Sequence, residues 1–84
     1  MITVLKRAQA SLAQSEILAI KPYHAEHVSF MWAVLVKQND TSYVTHLWDD
    51  SIGGFVFGEY FTTLRDAIGS FNRRGSWIGK GDVA

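Results

Sequence analysis

His24 and His27 stand three residues apart with Glu26 between them, and His46 follows later, close to Asp49 and Asp50. Imidazoles and carboxylates build zinc sites and acid–base pairs, so chemistry in this chain would have to start from these residues. A metal needs three or four converging ligands, and His24-x-x-His27 supplies only two that are near in sequence. An acid–base pair needs a carboxylate within hydrogen-bond reach of the imidazole, and spacing alone does not place Asp49 or Asp50 there. Turn formation accounts for Asp49-Asp50-Ser51 equally well, because short polar side chains bond nearby backbone groups just ahead of Gly53-Gly54. There is no cysteine to act as thiolate ligand or nucleophile. Nucleophile elbows, phosphate-cradling glycine loops and paired metal-binding helices are missing too. The sequence therefore predicts no catalytic residue, no metal site, no cofactor and no enzyme.

The elements that must position these residues are easier to read. At 84 residues, 48% hydrophobic and 19% charged, the chain suits one small domain that folds around a single core. The expected extent is 1–78, with 79–84 a flexible tail. Val4 or Leu5, Ala8 and Leu12 recur at helical spacing, predicting a first helix near 4–14 with Thr3 as its cap. Glu16–Ile20 reads either as a continuation of that helix or as a short edge strand, and Pro22 ends both. Val28–Val36 is apolar on both faces, the pattern of a central strand covered from both sides. Ser42–Trp48 and Phe55–Phe61 follow after short polar turns, giving an antiparallel meander. Leu64, Ala67, Ile68 and Phe71 then fall at i, i+3, i+4 and i+7, a stripe facing a core. Thr63 is the expected N-cap, Asp66 suits the positive helix start, and Gly75 is the expected stop. Gly69 interrupts the stripe. The fold class is thus α+β: an N-terminal helix, a three-stranded meander (four if 16–20 is a strand) and a C-terminal amphipathic helix on one sheet face.

Net charge is zero but unevenly spread. Residues 1–22 carry +2, residues 23–61 carry −4 and residues 62–84 carry +2, so the sheet is acidic and its flanks are basic. The apolar run from Phe30 to Val36 is far shorter than a membrane span, so no membrane partner is expected. Lys6 and Arg7 follow a brief apolar patch, the wrong order for a secretory signal. With no disulfide framework, a reducing cytoplasm is the expected compartment.

Gly54, Phe55, Phe57 and Tyr60 match positions of the main RNA-binding strand of RRM domains. The acidic sheet argues against phosphate binding there, and Phe55, Phe57 and Phe61 read instead as a core stripe under the last helix. The order helix, three strands, helix, with Pro22-Tyr23 before the meander, resembles the double-stranded-RNA-binding topology. The layout of 33–71, with Thr63-x-x-x-Ala67 opening a helix, is similar to the HicB antitoxin family. The alternative expectation is a nucleic-acid-binding or antitoxin-like regulatory domain, in which the charge distribution would assign the contacts to the basic ends Lys6, Arg7, Arg65, Arg73 and Arg74 and not to the sheet. If both helices shared one face, those residues would form a single positive surface.

The leading expectation is a non-catalytic protein-interaction module whose partner is itself, as a homo-oligomer, or another protein. Three Trp, three Tyr and five Phe are many for so small a core, and two helices leave apolar sheet to be covered by something else. Trp32, Trp48, Tyr60 and Trp77 are the expected contact residues.

Overall fold

The computed structural model describes residues 2–12, 14–23 and 31–80, with residues 2 and 75–80 described by backbone alone. Six elements follow one another: α1 (Ile2–Ala10), β1 (Glu16–Pro22), β2 (Met31–Asn39), β3 (Ser42–Asp49), β4 (Gly54–Phe61) and α2 (Leu64–Lys80). The four strands form one antiparallel sheet in the order β1-β2-β3-β4. Glu16–Ile20 is therefore an edge strand. Its presence ahead of the meander breaks the helix, three strands, helix order on which the double-stranded-RNA-binding likeness rests. His24, His27 and Val28–Phe30 lie outside the described residues.

β2 explains the layering. Successive strand side chains point to opposite faces, and Ala33, Val34, Leu35 and Val36 are all buried. Val34 and Val36 pack with Val44 and Trp48 of β3 and with Val4 and Ala8 of α1. Ala33 and Leu35 pack with Leu47 of β3 and with Ala67 and Phe71 of α2. The two helices thus cover opposite faces, one each, and the single positive surface expected from a shared face does not form. A strand apolar on both sides needs a cover on both sides, and each helix has only one apolar stripe to offer. Ala33–Val36 are buried between the two helices, while Met31 and Trp32 of the same strand are partly buried.

Both helices depart from their expected limits. α1 starts at Ile2 and ends at Ala10, so Thr3 is inside the helix instead of capping it. Gln9 closes the connection: its Nε2 donates to the Ser15 carbonyl at 2.9 Å and its Oε1 accepts from the Ile17 amide at 3.0 Å. At α2, the Asp66 amide donates to Thr63 Oγ1 at 3.3 Å, the expected cap. The helix then runs through Gly75 to Lys80, so Gly75 is not its stop and Gly79 and Lys80 are helical. A glycine costs a helix only about 1 kcal/mol, and no proline follows to enforce an end.

The buried face of α2 is also rotated from the expected stripe. Ala67, Ser70 and Phe71 are buried and Arg74 is partly buried, again at i, i+3, i+4 and i+7, while Leu64 and Ile68 are exposed. Polar contacts to the sheet, described below, pull Ser70 and Arg74 inward. Gly69 lies off this face, and a methyl group there would meet only the Arg73 guanidinium at 3.4 Å. Gly69→Ala should therefore raise stability by about 0.5–1 kcal/mol in urea unfolding; a loss of stability would mean that the helix needs the glycine.

Candidate functional site

β4 carries the unusual backbone. Thr45 pairs with Glu59 and Leu47 with Val56, so Phe57 and Gly58 together oppose His46 in a β-bulge. The extra residue splits the phenylalanines between faces. Phe55 joins the α1 side, Phe61 the α2 side, and Phe57 is 71% exposed. The expected stripe of Phe55, Phe57 and Phe61 under α2 does not exist, because a one-residue slip exchanges the faces of a strand. Phe57 adopts φ 53°, a left-handed conformation that costs a bulky L-residue roughly 1–2 kcal/mol.

Gly58 and His46 explain the accommodation on the other strand. A Cβ on Gly58 would stand 2.9 Å from His46 Cε1 and 3.0 Å from its Nδ1, so the ring occupies the space that any other residue would need. The imidazole also lies 4.9 Å from the Phe55 ring and 6.2 Å, edge-on, from the Tyr60 ring. Its Nδ1 is buried without a hydrogen-bond partner among the described residues. Burial, and secondarily the charge of Arg74, pushes the imidazole below its ordinary pKa of 6.5.

On the opposite face a polar network ties α2 to the bulge. Thr45 and Ser70, both buried, share a hydroxyl hydrogen bond of 2.8 Å. Ser70 Oγ lies 2.6 Å from Glu59 Oε1, to which it donates. Arg74 donates through Nε to Thr45 Oγ1 at 3.1 Å and through Nη2 to the carbonyl of Phe57. The same guanidinium stands 3.8 Å from the Glu59 carboxylate. Pairing removes most of the cost of burying these groups. Arg74 also holds a carbonyl that the bulge takes out of the regular ladder.

The expected site residues disperse over this frame. Trp48 is 1% exposed, packed edge-on against Phe55 at 4.8 Å, with its indole N–H donating to Asp50 Oδ1 at 2.9 Å. It is a core residue with no surface to offer. Trp32 packs partly buried on the α1 side, and Tyr60 is 65% exposed. Trp77 lies within α2, its side chain outside the described part. Arg7 reaches from α1 to Asp50, which its hydrogen bond holds below the usual carboxylate pKa. Lys6, Arg65 and Arg73 are exposed and Arg74 is internally bonded. Lys6 and Arg7 are separated from the other three by the sheet.

His46 and the aspartates do not converge. Asp49 Oδ1 accepts from the Ser51 amide at 2.9 Å and from its hydroxyl at 2.6 Å, while its carbonyl accepts from the Gly53 amide, as turn formation requires. Asp50 is held by Arg7 and Trp48. Among the described residues no three His, Asp or Glu side chains gather as a metal site requires, and no helix is long and apolar enough to cross a membrane.

The residues that sequence reasoning missed are Phe57, Thr45, Glu59 and Ser70. Gly58 in mid-strand was the available sign of a bulge. Ser70 lying three residues after Ala67 and four before Arg74 was the sign of a polar seam on α2.

No protein-family model matches the chain, and no curated protein or solved structure matches it either.

Two outcomes follow from His46. Its pKa is lowered in the folded state, so the unfolded chain takes up the proton first as pH falls; stability is full above about 6.5 and declines below it. Thermal unfolding should show a Tm drop between pH 7.5 and 5 that shrinks in His46→Phe, and an equal drop in both proteins would remove His46 as its source. Gly58→Ala should cost about 1–3 kcal/mol by forcing the ring aside. In a His46→Ala background that cost should largely vanish, a coupling measurable by a double-mutant cycle.

Proposed function

We propose that this protein is a small non-catalytic interaction module that associates with a second copy of itself through the aromatic surface of β4. The observation that carries the reading is Phe57: a large apolar side chain, 71% exposed, presented from a strained left-handed backbone. Strain of this kind persists where the surroundings enforce it, and it clusters at functional positions. Here Arg74 holds the Phe57 carbonyl and Gly58 makes room for His46, so the fold maintains the outward aromatic at a cost in stability.

Tyr60 adds a second aromatic at 65% exposure, and Ile52 in the β3–β4 turn a third large apolar side chain at 69%. These residues replace Trp48, and the uncovered face of β2, as the expected contact surface. The mode of contact is side-chain packing more than strand addition. Both edge strands are bulged, β1 between Ile17 and Ala19 and β4 at Phe57-Gly58, and bulges guard sheet edges against pairing. Exposed aromatic side chains are the residues from which interface hot spots are most often made.

Nucleic-acid binding through the basic ends is the weaker alternative, since the sheet divides Lys6 and Arg7 from Arg65, Arg73 and Arg74. Phe57→Gly separates association from folding, because glycine takes positive φ without penalty. By light scattering at tens of micromolar, the natural protein should be dimeric or larger. Phe57→Gly should be monomeric, with a Tm unchanged or raised. A natural protein that is monomeric at that concentration, or a Phe57→Gly variant that associates as strongly, would end this reading.

A further inference from the structure

The α2 face of the sheet holds an open cleft of about 310 Å³ lined by Tyr23, Glu59, Ser70, Arg73 and Arg74. Its charged groups are two guanidinium ions from the basic C-terminal segment and one carboxylate from the acidic sheet, so the cleft is net positive. The three do not stand alike. Glu59 accepts from Ser70 and faces Arg74. Arg74 is directed inward onto Thr45 and Phe57. Arg73 is exposed and makes no ion pair among the described residues, whereas Arg7 pairs with Asp50 and Lys37 with Asp40. Its guanidinium lies 3.4 Å from where a Cβ on Gly69 would be, and the residue itself lines the cleft. Tyr23 forms a further wall, and burial raises its pKa, which keeps it a neutral phenol.

We propose that this cleft binds a small oxyanion of the phosphate class, with the Arg73 guanidinium as its principal ligand and the sheet-bonded Arg74, paired with Glu59, as a fixed wall beside it. Guanidinium groups present paired N–H donors matched to the oxygens of phosphate, and they bind such groups in bidentate fashion. Glu59 sits against Arg74 and offsets its charge, which leaves Arg73 as the uncompensated cation of the cleft. The division of roles is physical: Arg74, bonded to the sheet, cannot turn outward without stranding Thr45 and the Phe57 carbonyl, while Arg73 can close on a ligand freely. The site lies on α2 and β4 and does not depend on self-association.

The test uses inorganic phosphate and the exposed Arg73, since an Arg74 variant would disturb the buried network. Thermal unfolding is followed for the natural chain and Arg73→Gln in phosphate and in sodium chloride of matched ionic strength. Without phosphate the two proteins should have similar Tm values. At saturating phosphate the natural chain should gain about 4 °C or more over Arg73→Gln, and titration should move the Arg73 side-chain Nε–H resonance saturably. The difference between the two proteins removes the general stabilisation that phosphate gives any folded chain. Equal phosphate responses, or a linear unsaturated movement of the resonance, would overturn the proposal. A single-stranded oligonucleotide provides a separate arm: tighter binding than phosphate that survives Arg73→Gln would place the anion contact elsewhere and equally overturn it.

Discussion

The rest of the structure depends on the burial of β2 from both sides. Ala33, Val34, Leu35 and Val36 are successive residues, each withdrawn almost wholly from water, and successive residues of a strand cannot share a face. Two covers are therefore required, and α1 and α2 supply one each. Their placement on opposite faces follows. So does the separation of the basic residues: Lys6 and Arg7 go with α1, and Arg65, Arg73 and Arg74 go with α2. A charge distribution that looks like two ends of one positive surface along the chain becomes two unconnected groups in space.

With Ala33–Val36 of the central strand covered on both faces, the most exposed aromatic side chains lie on β4. A single extra residue in that strand puts Phe55 and Phe61 on opposite sides and turns Phe57 to solvent. The bulge is supported from both faces. On one, His46 fills the volume that Gly58 leaves; on the other, Arg74 satisfies the Phe57 carbonyl and is itself fixed through Thr45 and Glu59. Neither support is local in sequence. The strained conformation is thus a property of the packed molecule, and a short peptide of β4 would have no reason to adopt it.

The network that supports the bulge also sets the rotation of α2. Leucine and isoleucine at positions 64 and 68 would ordinarily win the core face of an amphipathic helix by hydrophobic burial, at about 25 cal/mol per Å². In this molecule Ser70 and Arg74 take inward positions because a buried Thr45 hydroxyl and a bulge carbonyl each need a partner, and an unpaired buried polar group costs about 1–3 kcal/mol. Leu64 and Ile68 remain at the surface. Polar satisfaction, set against apolar area, decides which side of the helix is core.

Features that depend only on neighbours along the chain are legible in the residues alone. The doubly apolar segment that became β2, the polar turns at 38–41 and 49–54, the Thr63 cap and the helical period of 64–74 are all local, and each emerges as read or nearly so. The existence of an α+β domain with an antiparallel sheet was legible for that reason. Tertiary structure decided everything that turns on a long-range partner: that 16–22 pairs as an edge strand, that the helices take opposite faces, that α2 continues past Gly75, and that Trp48 is core while Phe57 is surface. The candidate site belongs wholly to this second group. Gly58 hinted at a bulge, but its partner His46 lies across the ladder, and Thr45, Ser70 and Arg74 meet only because the last helix folds back over β3 and β4. Side-chain hydrogen bonds between residues 25 or 29 positions apart leave no periodicity in the sequence, so the physics that locates this site acts only after the chain has packed.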